Sequence, residues 1–269
     1  MLARDDVDAV IVDAPTSLHA ELIIRAAQAG KHIFTEKVMA LTLEDCDRII
    51  EAVRKAGVVF TISYPHLCQP VNLYLKKAIE DGLLGKVTLL RVRNAHNGAL
   101  AGWLPEYWYD PGTTGGGAMM DLGAHPMYLA RWFLGKPLRI QSMFNSFTRR
   151  NVDDNAVCTI EFEDRAIAIS ETSLVSPMSP YFVEVYGTEG VVYIRDKTLE
   201  IRSTHLPESK DGFIRPELPE ALPEPLTQFV ASVTEGAPVR FGLEEGRQLT
   251  ELMQYAYQAD RESREIIIP

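Results

Sequence analysis

Val7-Asp8-Ala9-Val10-Ile11-Val12, followed by Asp13-Ala14-Pro15-Thr16, decides how the first part of this chain folds. The run is short and mostly apolar, as a strand buried on both faces of a parallel sheet has to be. The Asp-Ala-Pro-Thr segment turns the chain at the strand's carboxyl end, where Ser17 is placed to cap a helix. Leu18, Leu22, Ile23, Ala26 and Ala27 then repeat at helical spacing until Gly30, a residue suited to stop a helix. His32–Thr35 reads as a second strand. Thr42 opens a second helix with the stripe Leu43, Cys46, Ile50 and Val53, Gly57 stops it, and Val58–Ile62 is a third strand. Strand–helix alternation of this kind predicts a parallel sheet with right-handed crossovers.

In such a sheet, ligands bind beyond the carboxyl ends of the strands. Those ends carry Pro15 to His19, Glu36-Lys37 and Tyr64-Pro65-His66, so three loops are expected to present His19, Lys37 and His66 to one crevice. Each also has an ordinary reading: His19 as a first-turn residue, Lys37 as an exposed lysine.

A second stretch carries the chemistry. Gly115-Gly116-Gly117 opens it, and Met119, Leu122, Tyr128, Leu129, Trp132 and Phe133 follow at helical spacing. On one helix Asp121 and His125 would share a face, and a carboxylate beside an imidazole can move a proton, orient a hydroxyl or bind a metal. Pro126 disfavours helical geometry at His125 and predicts a kink there. The glycines would let the backbone approach a ligand closely.

Composition excludes several classes. The 269 residues are 46% hydrophobic and 24% charged, as in a soluble globular chain, and the net charge of −10 argues against nucleic acid or an anionic membrane as partner. Cys46, Cys68 and Cys158 lack CxxC spacing, so neither a zinc ribbon nor a disulfide framework is indicated, and a reducing cytoplasm is expected. No signal core or membrane-length apolar run occurs.

After a helix opened by Pro70, the pattern changes to strands: one beginning at Val87, then Ile140–Phe147, Asn155–Phe162, Ala166–Ser173, Tyr181–Tyr186, Val191–Arg195 and Thr198–Arg202. Their spacing suggests an antiparallel meander, with Arg165–Ser170 apolar enough for burial on both faces. Residues 204–225 read as a surface loop, and helices at about 224–235 and 243–260 close the chain. The expected fold is therefore a partial Rossmann-type parallel sheet over residues 1–65. A larger domain, 66–269, follows, with an open, mostly antiparallel sheet flanked by helices.

Together these residues resemble the glucose–fructose oxidoreductase / inositol dehydrogenase (Gfo/Idh/MocA) family. The resemblance rests on Val7-Asp8-Ala9-Val10, Pro15 with His19, and Ala29-Gly30-Lys31-His32-Ile33 leading to Glu36-Lys37. It continues through Gly82, Gly85-Lys86-Val87, Gly116-Gly117 with Asp121, Gly123 and His125, and Gly187-Thr188-Glu189-Gly190. It implies hydride transfer between NAD(P) and a sugar or cyclitol carbon. By position, Lys37 resembles the lysine that hydrogen-bonds the reacting hydroxyl and steadies the nicotinamide ribose. His125 resembles the acid/base, and Asp121 its substrate-binding or orienting partner. Pro15, His19, Glu36 and Lys37 are the candidate cofactor residues. Tyr64, His66, His96 and Tyr109 are the candidate substrate residues, Trp103 and Tyr107 adding aromatic surface suited to a sugar ring.

Two departures bear on this expectation. The family's Glu-Lys-Pro reads Glu36-Lys37-Val38, which removes a rigid turn. No GxGxxG occurs, and roughly sixty residues that would carry it ahead of Val7 are expected to be missing. A three-stranded remnant would expose an edge and an apolar face, so a homo-oligomer is expected. Other classes stay open: a non-redox sugar-binding or assembly protein, or a lyase or epimerase using His125 and Lys37. A metal variant would use Asp121 and His125 with His66 or His96.

Overall fold

In the computed structural model, which describes residues 1–269, the chain builds two sheets. The first contains β1 (Ala9–Val12), β2 (His32–Thr35) and β3 (Phe60–Ile62), linked by α1 (His19–Gln28) and α2 (Leu43–Ala56). All pairing is parallel, with Ala9 opposite His32 and Ile33 opposite Phe60. The Thr42 hydroxyl accepts from the Asp45 N–H at 3.1 Å, and Gly57 ends α2 in the left-handed region at φ 65°. A cap of this kind is worth about 1 kcal/mol. Ser17 does not act as the expected cap; a 3-10 turn over Thr16–Leu18 feeds α1 directly.

The second sheet has eight strands: β4 (Val87–Ala95), β5 (Pro137–Asn145), β6 (Asn155–Phe162), β7 (Ile167–Ser173), β8 (Phe182–Gly187), β9 (Gly190–Arg195), β10 (Thr198–Ser203) and β11 (Ile266–Ile267). Their order is β10-β9-β8-β4-β7-β6-β5-β11, so the expected meander is really two meanders with β4 inserted between them. β4 runs antiparallel to β8 and parallel to β7, the one parallel pair of this sheet. Burial of β7 also corrects the sequence reading. Ala168 and Ser170 are buried while Ile167 is 45% exposed, so only one face is covered. On the uncovered face Arg91 bonds Glu171 and Glu184, and Arg93 bonds Glu171.

Helices join the sheets. α3 (Pro70–Glu80) precedes β4, with Pro70 at its first turn as its fixed φ favours. Between β4 and β5 lie α4 (Gly98–Ala101), α5 (Pro111–Thr114), α6 (Ala118–Asp121) and α7 (Ala124–Leu134). α8 (Pro225–Thr234) and α9 (Leu243–Glu262) then return to the first sheet. Phe229 of α8 packs on Phe34 of β2 at 5.8 Å, and the Ile62 N–H donates to the Phe241 carbonyl at 3.0 Å. The apolar face expected to need a second chain is thus covered from within. The outer edge of β1 remains unpaired, with Ile11 56% exposed. No helix is long and apolar enough to cross a membrane, and the three cysteines are buried and free.

Candidate active site

The helix expected across residues 115–134 is broken. α6 ends at Asp121 and α7 begins at Ala124, the Gly123 N–H bonding back to Ala118 at 2.9 Å. The interruption falls before the predicted kink at His125–Pro126. Asp121 and His125 consequently find different partners.

Lys37 leaves β2 and meets Asp121: its Nζ donates to the Asp121 carbonyl and to Oδ1, both at 2.8 Å. The two side chains are 12% and 16% exposed, so the pair is desolvated on most sides yet open at the crevice. That crevice, about 380 Å³, lies beyond the carboxyl ends of β1 and β2 and is lined by Pro15, Glu36, Lys37, Trp108, Met120 and Asp121 among others. The Lys37–Val38 peptide is cis. The Val38 carbonyl is held by His19, whose Nδ1 lies 2.8 Å from it and whose Nε2 lies 2.8 Å from the Ala14 carbonyl. His19 touches the crevice wall but commits both nitrogens to main chain, so its part is to brace the two loops together. Burial lowers its affinity for a proton, against the opposing pull of the two carbonyls.

His125 turns its Nδ1 to the Tyr128 hydroxyl at 2.9 Å and leaves Nε2 without a hydrogen-bond partner in the chain. Burial, then the charge on Lys37, then His66 hold its pKa well below the ordinary imidazole value. His66 stands edge-on to it, ring centroids 4.7 Å apart, with a buried, unpartnered Nδ1. Burial and Lys37 push the His66 pKa down to about 4. His96, at the end of β4, accepts the Gly98 N–H on Nδ1 at 3.0 Å. Its pKa is lowered by burial, and Asp121 acts in the opposite direction. Two beds of the fold therefore converge: Lys37 and His66 from the parallel side, His96, Asp121 and His125 from the other.

Two expected substrate residues lie elsewhere. Tyr64 is buried, its hydroxyl donating to the Glu245 carbonyl at 2.9 Å and its ring against Tyr128. Tyr109 packs in a small core with Leu104 and Leu174, under the Arg150 guanidinium, its hydroxyl buried without a partner. The neighbours Tyr107 and Trp108 face the crevice instead. Asp121, His125, His66 and His96 form no metal cage.

The glycine run serves the protein itself as well as the crevice. A Cβ on Gly116 would strike the Tyr257 hydroxyl, and one on Gly117 the Asp153 carbonyl. Asp153 accepts the N–H groups of Gly117 at 2.9 Å and Met119 at 2.7 Å, and the Tyr257 hydroxyl at 2.8 Å. This carboxylate closes the exposed amino end of α6 as a cap would. Sequence reading missed it, because the cap arrives from a turn far along the chain. A glycine run opening an uncapped helix was the available signal.

Comparison with known proteins fits this geometry. Residues 1–64 match the oxidoreductase family with an NAD-binding Rossmann fold, and residues 72–193 match the GFO/IDH/MocA C-terminal domain. The scyllo-inositol 2-dehydrogenase (NAD(+)) of Bacillus subtilis is 32% identical over 201 residues, covering 72% of this chain and 57% of that protein. The myo-inositol 2-dehydrogenase of Thermotoga maritima is 26% identical over 279 residues, covering 98% and 80%. Levoglucosan dehydrogenase in complex with NADH and levoglucosan superposes with a TM-score of 0.89 at 22% identity, covering all of this chain and 82% of that one. The chain spans 56–57% of the length of the first two curated relatives it matches. With matches on both sides of the junction between its sheets, this chain belongs to the Gfo/Idh/MocA oxidoreductase family.

Proposed function

We propose that the crevice is the active site of an NAD(P)-dependent oxidoreductase acting on a sugar or cyclitol carbon, and that Lys37, Asp121 and His125 are its working groups. The observation that carries the reading is the part-buried Lys37–Asp121 pair at the strand ends, with the free Nε2 of His125 nearby. An ammonium has three N–H groups. Asp121 takes two, leaving one for a substrate oxygen. That N–H would stabilise negative charge as a hydroxyl becomes an alkoxide on the way to a carbonyl. His125, kept neutral by burial and by Lys37, exchanges the oxygen's proton through Nε2.

The residues present fit the nicotinamide–ribose end of the cofactor. Lys37 offers a donor, Glu36 an acceptor for ribose hydroxyls, and Pro15 a flat apolar wall, all on one crevice. Bound there, the nicotinamide supplies the hydride acceptor or donor. Gly116 and Gly117 also line this crevice, but the Gly117 N–H is already taken by Asp153 and the Tyr257 hydroxyl. Titration of the chain with NADH and NADPH, followed by turnover on a panel of polyols and ketoses, tests the reading. Saturable binding that Lys37→Met abolishes supports it. Binding unaffected by Lys37→Met would remove this crevice as the site, and a non-redox sugar-binding role would then be the better account. We also propose that copies associate through the uncovered face of the eight-stranded sheet. Sedimentation as a monomer at micromolar concentration would contradict that.

A further inference from the structure

The orientation of His125 is set by groups outside the Lys37–Asp121 pair. Tyr128 follows it by three residues on α7, and their side chains meet at 2.9 Å between Nδ1 and the hydroxyl. Either atom of that contact could donate. A third group decides which does. The His66 N–H, a fixed donor, points at the same tyrosine oxygen at 3.3 Å. Tyr128 is 5% exposed, and its hydroxyl has no hydrogen-bond acceptor in the chain other than His125 Nδ1. If Nδ1 carried the proton, the tyrosine oxygen would receive two donors and its own hydrogen would be buried unpaired. A buried unpaired donor costs about 1–3 kcal/mol. With the hydroxyl donating to Nδ1, all three groups are satisfied.

We propose that Tyr128 is a positioning residue that fixes the neutral His125 as the tautomer with its proton on Nε2. The free ring nitrogen, Nε2, is then a hydrogen-bond donor at rest. Lys37, His66, Tyr64, Cys68 and Tyr181 surround this pair, and none of them supplies a competing negative charge at neutral pH. Burial keeps the Tyr128 hydroxyl protonated well above the ordinary phenol range, so the donor is not lost by titration. The consequence for catalysis rests on the oxidoreductase reading. A donor at Nε2 suits the oxygen of a bound carbonyl. Accepting a hydroxyl proton instead requires the other tautomer, in which Tyr128 loses its only acceptor. The site at rest is thereby biased toward holding the keto form. The tautomer itself stands whether or not the chain turns over a substrate.

The test is long-range nitrogen–proton NMR on uniformly 15N-labelled full chain at neutral pH, which distinguishes the two tautomers and the imidazolium. The His125 signal is assigned by its absence in His125→Gln. The expected result is an unprotonated Nδ1 and a protonated Nε2. Tyr128→Phe keeps the ring that lies 4.3 Å from Tyr64 and removes only the hydroxyl. There the signal should move toward a mixture of tautomers and the imidazole should titrate at higher pH. A wild-type His125 protonated on Nδ1, or a Tyr128→Phe spectrum matching wild type, overturns the proposal. Should Tyr128→Phe fail to fold, the wild-type tautomer alone decides. A wild-type chain that shows the expected tautomer but binds no NADH or NADPH would count against the oxidoreductase reading and leave this one intact.

Discussion

Lys37 Nζ sits 2.8 Å from both the carbonyl oxygen and the Oδ1 of Asp121, a double bond of contact between the end of β2 and the end of α6. One residue of the pair comes from the parallel sheet and the other from the insertion between β4 and β5. Removing one partner leaves the other charge poorly solvated, at a cost of about 3–5 kcal/mol for a buried pair. Because both side chains keep some exposure, the lower end of that range is expected. Lys37→Met should therefore lower stability markedly, and Lys37→Met/Asp121→Asn should recover part of it while staying inactive. Denaturant melts of the four-member cycle measure this; additive losses would show that the pair does not couple.

Acid should unfold this protein through its imidazoles. Burial and Lys37 push the His66 pKa down to about 4, against about 6.5 for an ordinary imidazole, and His125 is shifted in the same direction. Between those values the unfolded chain binds protons that the native chain refuses. Stability is thus fully present above pH 6.5 and is lost as pH falls, the His66 share being gone below about 4. That share is on the order of 3 kcal/mol. Chemical denaturation across this window should show the decline, and His66→Phe should flatten it. An unchanged slope would place the titration elsewhere.

Gly117→Ala should be among the costly single-methyl additions in this chain. The new Cβ meets the Asp153 main-chain carbonyl, which is itself fixed by the Ala118 N–H at 2.7 Å. Overpacking of this sort costs about 1–3 kcal/mol. Displacement of α6 would also move Asp121 off Lys37. Thermal unfolding together with nicotinamide binding reads both effects, and a neutral result would show that the Asp153 turn yields freely.

Tyr109→Phe should do the opposite. Its hydroxyl is buried without a partner, so deletion removes a desolvation cost and keeps the ring under Arg150. Stability should hold or rise by about 0.5–1 kcal/mol. Trp108→Ala, by contrast, should weaken ligand binding because Trp108 lines the crevice. Equal effects of the two on binding would mean that the crevice walls are wrongly assigned.

The parallel sheet was legible because its signals are local: apolar runs, the Thr42 cap and the Gly57 stop lie within or beside the elements they define. The insertion of β4 between β8 and β7 was not, since strand periodicity says nothing about partners far along the chain. Lys37, Asp121 and His125 were readable as residue types, yet their pairing was not. The break at Leu122–Gly123 sent Asp121 to Lys37 and left the imidazole to Tyr128. Tyr128 looked like one more core aromatic, and Asp153 like an ordinary turn acid. Tyr109 differs from Tyr107 and Trp108 only by its place on a 3-10 turn, where no helical stripe tells inside from outside.

The placement of α8 and α9 has a bearing on how the protein is made. β1, β2 and β3 are finished by Ile62, yet Phe34 finds its ring partner in Phe229 and the outer edge of β3 is met by Phe241. The Ala40 carbonyl likewise waits for the Thr250 hydroxyl. A nascent chain leaving the ribosome exposes this sheet while the whole eight-stranded sheet save β11 is being synthesised. The parallel sheet is thus sealed only after those strands are made, and Phe34 stays without its ring partner until Phe229 follows.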